Sequence, residues 1–260
     1  MIGFLIKKGF FDLWDNMLMV GLMNIGYLIP LGLIYLAVAL SAAEYSTILC
    51  TVILIIAMLV FSLYSLGVNA ITFGFTHYKK RGFAAIKEAL RFHWGHALLH
   101  FGICLLIGFT AVFIIPFYFA IGNYFGIILG MVIFWVIVAL VLAIQYFFPL
   151  CFHMEADRPF KTLKKCFLVV ADNFGTTMFL VLRTIFDLVL TILTATLLPG
   201  LSGIALSRMA TMKLLMKKYD FLEENPDATK KDINWEDLLY EEKQLVGPRS
   251  IKNMIFPWKY

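Results

Sequence analysis

The chain has 260 residues, 61% of them hydrophobic and 15% charged, and its mean hydropathy is +0.85. That apolar content exceeds what one soluble core of this length can absorb, so lipid must supply part of the solvent. The net charge of +5 does not indicate nucleic acid, because the basic residues flank apolar stretches, where they meet anionic headgroups.

Inside a bilayer no water satisfies backbone groups, so apolar stretches of about 20 residues must be helices. Strand alternation is absent, which excludes a barrel. Six crossings are predicted, near residues 17–40, 48–75, 97–121, 126–150, 174–198 and 200–216. The expected fold is an all-α polytopic bundle over 1–218, followed by a cytoplasmic tail over 219–260. The last crossing is short and carries Arg208 and Lys213, so a re-entrant segment is the alternative there. The first apolar stretch is too long for a cleaved signal and reads as a signal anchor.

In chain order, Lys7 and Lys8 precede the first crossing, which contains Asn24 and Pro30. The turn Ser41 to Thr47 holds only Glu44 as a charge, and the second crossing carries Asn69. A basic segment follows, with Lys79, Lys80, Arg81, Lys87 and Arg91. His93, His96 and His100 then lie along one helical face, where neutral imidazoles suit a transition metal. The separation of i and i+7 is about 10 Å, so the geometry permits only a pair such as His96 and His100, with Glu155 or Asp157. Gly122, Gly126 and Gly130 form two overlapping GxxxG steps that allow close backbone approach, within the hairpin or to a second protomer. Gln145 adds an amide, and Pro116 and Pro149 interrupt helical hydrogen bonds. The four cysteines show no paired spacing and read as reduced core residues.

The second half opens on Arg158, Lys161, Lys164 and Lys165. Arg183 and Asp187 stand four apart on one face of the fifth crossing, with Arg208 on the next. Ionisable groups at that depth are costly and must be paired or face water, so these three, with Asn69 and Gln145, form the candidate polar site for an anionic or hydroxylated solute. A structural ion pair locking the last hairpin is the competing explanation. After Tyr219, nine acidic residues face two lysines between Asp220 and Glu242, and the final stretch mixes bases with aromatics, including Phe256 and Trp258 as candidate docking residues.

Every Lys and Arg outside the six crossings falls on one side, so both termini are expected in the cytoplasm of a bacterial inner membrane. The basic segments also repeat: Arg81, Phe83, Ile86, Lys87 and Leu90 match Arg158, Phe160, Leu163, Lys164 and Phe167 at an offset of 77 residues. Lys7 to Asn16 offers a weaker third copy of Lys164 to Asn173. The chain thus reads as three units, each an amphipathic interfacial helix feeding a membrane hairpin.

The run Thr72 to Tyr78, the segment Gly82 to Gly95, and Gln145 to Leu150 leading into Leu163 to Phe174 resemble the YesL-like bacterial membrane proteins, over roughly residues 8 to 218. The resemblance implies an accessory of carbohydrate uptake and supplies no catalytic residues or cofactor. No HExxH, Walker loop, Gly-x-Ser-x-Gly or CxxC pattern occurs, so no enzyme is expected. The expected function is therefore a non-catalytic membrane accessory, whose tail would meet a transporter subunit or a cytoplasmic protein. A small-solute transporter or channel is the alternative.

Overall fold

A computed structural model describes residues 1–79 and 81–250, so Phe256 and Trp258 lie outside the described residues. The elements are α1 (Ile2–Asp15), α2 (Met17–Ala42), α3 (Thr47–Thr76) and α4 (Ala84–Phe109). A π-helical turn (Thr110–Ile114) joins α4 to α5 (Ile115–Ala120), followed by α6 (Tyr124–Ile144), α7 (Phe147–His153) and α8 (Pro159–Asp172). Then come α9 (Phe174–Leu193), α10 (Gly200–Glu224), α11 (Trp235–Leu238) and α12 (Tyr240–Val246), and among the described residues there is no strand. The π turn ends just before Pro116, whose missing N–H and ring crowding disturb the helical ladder there.

The fold is a polytopic membrane bundle. Five stretches are long and apolar enough to cross a membrane: Met17–Ala42, Thr47–Thr76, Ala84–Ala120, Tyr124–His153 and Phe174–Leu193. Tyr35, Ile48, Tyr124, Phe125 and Trp135 are exposed on these helices, a surface suited to lipid. The packed core sits toward the end where α3 finishes. There Leu66, Val68, Ile71 and Phe75 of α3 meet Tyr146, Phe147 and Leu150 beside α7, and Leu206, Met209 and Met212 of α10.

The sixth expected crossing, 200–216, is not one of the five. α10 carries Arg208, Lys213, Lys217 and Lys218, and residues Ser202 to Leu206 and Met209 to Leu215 are buried by other helices. It is a central helix sheathed by protein, as a segment with this charge requires. Its start is fixed by Asn24 of α2, whose amide nitrogen donates to Leu197 O (2.9 Å) and Pro199 O (2.8 Å). The Asn24 carbonyl oxygen accepts from Ser202 N at 2.9 Å. Gly200 allows this closeness: its φ is +62°, and a Cβ there would fall 2.2 Å from the Asn24 amide. Asn24 lies about 10 Å along the 26-residue α2 at the helical rise. The corner Leu198–Gly200 therefore packs against the first third of α2, away from the turn at Glu44.

The three-unit organisation has a structural counterpart. α1 meets α2 at Asn16 (φ −119°, ψ 17°), and α8 meets α9 at Asn173 (φ −131°, ψ 45°). Within α4 the only non-helical residue is His93, with φ −119° and ψ 16°. An amphipathic segment thus turns into a membrane hairpin through a similar backbone break three times. The middle break falls three residues earlier than the 77-residue offset places it, since Leu90 aligns with Phe167 but His93 aligns with Val170.

The tail folds back on the bundle. Leu239 packs with Leu5 and Leu214, Lys7 Nζ donates to Gly247 O at 3.0 Å, and Arg249 Nη1 pairs with Asp15 at 2.8 Å. Glu242 is 3% exposed and sits between two lysines: its Oε1 is 2.6 Å from Lys213 Nζ, and its Oε2 is 3.6 Å from Lys8 Nζ. Both lysines also donate to Thr76 O, the free carbonyl at the end of α3, where the helix dipole favours cations. Lys8 completes its shell with Asp12 (3.1 Å) and Tyr78 Oη (3.0 Å). Docking of the tail thus runs through Leu239, Glu242, Val246 and Arg249.

Candidate functional site

α3 carries Ser62, Ser65 and Asn69 at i, i+3 and i+7, a polar stripe on an otherwise apolar helix. The bundle turns that stripe toward α2, α4 and α10. Tyr27 Oη of α2 donates to Ser65 Oγ at 3.1 Å, and Ser62 Oγ lies 2.9 Å from His100 Nδ1 of α4. Between these helices is a cavity of about 210 Å³. Tyr27, Ser65, Asn69, His100, Gln145, Thr184 and Arg208 supply its polar wall. Two of the amide groups are held by their own helices: Asn69 Nδ2 donates to Ser65 O, and Gln145 Nε2 to Leu142 O.

Arg208 is the chemical focus of this cavity. Its Nε is buried and has no hydrogen-bond partner, and no carboxylate among the described residues forms an ion pair with it. Asp187 is engaged by its neighbour on α9: Arg183 Nε donates to both of its oxygens, at 2.9 and 3.0 Å. Asp187 is 1% exposed, so this is a buried pair one helical turn long. Of the five residues expected to form one polar site, the structure brings Arg208, Asn69 and Gln145 together in the cavity. Arg183 and Asp187 form a separate pair, with Arg183 Nη1 facing Gly9 of α1.

Tyr27, Ser65 and Thr184 belong to this cavity and were not among the expected site residues. The polar stripe on α3 was the signal that could have identified Ser65. His96 and His100, expected as a metal pair, point to different partners: His96 Nε2 contacts Thr162 Oγ1 at 3.1 Å, while His100 turns to Ser62. The glycines of α6 serve contacts within one hairpin, since a Cβ on Gly126 would meet Tyr118 O at 2.6 Å and one on Gly130 would meet Phe119 at 3.0 Å. Gly122, with φ +72°, makes the turn before α6.

These features define a multi-pass helical membrane protein with a polar, positively charged cavity inside its bundle. No family model, curated protein or solved structure matches the chain.

Proposed function

We propose that this protein binds a small anionic solute in the cavity at Arg208, as the recognition step of transport across a bacterial inner membrane with both termini on the cytoplasmic side. The observation that carries the reading is the Arg208 Nε, buried with no hydrogen-bond partner among the described residues. A buried charge without a partner costs several kcal/mol, and an anion entering the cavity removes that cost. A guanidinium presents a planar fork that matches carboxylate or phosphate oxygens, and about 210 Å³ suits an anion of a few heavy atoms. The orientation rests on the basic residues gathered at one end of the helices.

The test is a panel of small carboxylates and inorganic phosphate added to detergent-purified protein, followed by thermal unfolding and then uptake into proteoliposomes. An anion at 100 times its dissociation constant should stabilise the wild type by about 2.7 kcal/mol and leave Arg208→Gln unmoved. Equal stabilisation of both proteins, or of neither by any anion, overturns the reading.

A second reading, the transport accessory implied by the YesL-like resemblance, draws on the tail. Glu223, Glu224, Asp227, Glu236, Asp237 and Glu241 are exposed there, a surface suited to a basic patch on a transporter subunit or cytoplasmic protein. A stoichiometric partner that co-purifies with the native protein and is lost on deleting residues 220–260 would support it; a native protein that purifies alone counts against it.

A further inference from the structure

The break in α4 at His93 places three metal-ligand side chains together, away from the Arg208 cavity. The donor atoms of His93, His96 and Cys151 all lie within 4.8 Å of one another. His93 is half-buried, and His96 and Cys151 are buried. The spacing fits no sequence motif. It arises because His93 is itself the backbone break, His96 follows it on the helical part of α4, and α7 brings Cys151 against them.

We propose that His93, His96 and Cys151 bind a borderline-soft divalent transition ion of the zinc type, clipping α4 to α7. Imidazole nitrogen and thiolate sulfur are both zinc donors, whereas magnesium and calcium require oxygen ligands. The surrounding bonds prepare His96 for this role. Thr162 Oγ1 donates its hydrogen to Arg158 O at 3.4 Å, so it accepts from His96 Nε2–H and leaves the lone pair on Nδ1. The Cys151 thiol has no hydrogen-bond partner among the described residues, and its sulfur is free for the ion. Beside His93 is a second cavity of about 380 Å³, lined by Arg81, Glu88, Phe152 and Glu155. Glu88 and Glu155 are exposed, which gives a cation an acidic entrance, and a water would complete four-coordination. On binding, the Cys151 S–H bond breaks, a metal–sulfur bond forms and the proton leaves to solvent, so affinity rises with pH.

Cobalt(II) is the probe, added to chelator-stripped, full-length protein in detergent. The expected result is one equivalent bound, tetrahedral d–d bands and a sulfur-to-cobalt charge-transfer band, all displaced by zinc(II). Cys151→Ser should abolish the charge-transfer band. His93→Gln should weaken binding at least about tenfold while Cys166→Ser leaves the spectrum unchanged. The wild-type spectrum decides even where the Cys151 variant fails to fold, since cobalt uptake without a charge-transfer band overturns the proposal. A band that survives Cys151→Ser, or is lost with Cys166→Ser, overturns it equally.

Discussion

Arg183 and Arg208 both lie within the membrane bundle, but among the described residues only Arg183 forms an ion pair, with Asp187. Removing each should therefore shift stability in opposite directions. Arg183→Gln leaves Asp187 buried without its partner and should destabilise the protein by about 3 kcal/mol, within the range for broken buried pairs. Arg208→Gln removes an unpaired charge and should raise the thermal midpoint in anion-free buffer. Differential scanning fluorimetry of the two variants checks the opposed signs. The Arg183–Asp187 pair was legible in the sequence, because four residues on a helix is a fixed geometry. Its separation from Arg208 was not, because that depends on how α9 and α10 rotate against each other.

Asp12 gives a pH dependence at the same scale. Burial pushes its carboxyl up from 3.8 to about 6, against the pull of Lys8, which lies 3.1 Å from its Oδ2. The folded state then holds a proton that the unfolded state releases, so stability falls as pH rises from about 4 to about 6 and is level above that. Asp172 works the other way and lower down. Although burial raises it, Lys218 and Lys230 hold its carboxylate at about 2, and the stability they lend is lost as pH falls from about 4 toward 2. Thermal midpoints measured between pH 4 and 6 should slope downward in the wild type and flatten in Asp12→Asn; an unchanged slope removes Asp12 from the account.

Among the elements, the α9–α10 hairpin departs most from a reading by hydropathy. Its apolar length suggests a full crossing and return, yet Asn24 pins its corner about 10 Å along α2. With the native cysteines replaced, Thr196→Cys should resist a membrane-impermeant maleimide applied from the Glu44 side, and Glu44→Cys should react. Equal labelling would place the corner beyond the bilayer core. The three amphipathic segments and their hairpins were readable from periodicity and charge, because each repeats the same solution to entering lipid. The depth of the last hairpin was not readable, because one amide on a different helix sets it. α10 itself was ambiguous for a physical reason: protein shields its charges, and a local hydropathy window does not register that shield.

Across the whole molecule, the tail is part of the bundle. The abrupt acidic composition after Tyr219 marked a change of environment, but it did not reveal that Glu242 alone is drawn into the charge cluster while its neighbours face solvent. Glu242→Ala leaves Lys8 and Lys213 short of a carboxylate and should free residues 225–250 to limited proteolysis at Lys230 and Lys231. Glu241→Ala, whose contact with Lys217 is exposed, should leave the digestion pattern unchanged. Identical digestion of both variants would mean that apolar packing at Leu239 and Val246 suffices.

The contact of Lys7 with Gly247 joins residues 240 positions apart, and Lys8 beside it waits for Glu242. During synthesis the first helix is therefore made long before the carboxylate that neutralises its neighbourhood. Until Glu242 is delivered, two lysines face a single aspartate at that end of the bundle, so the cluster is neutralised only after nearly all of the described helices have been made.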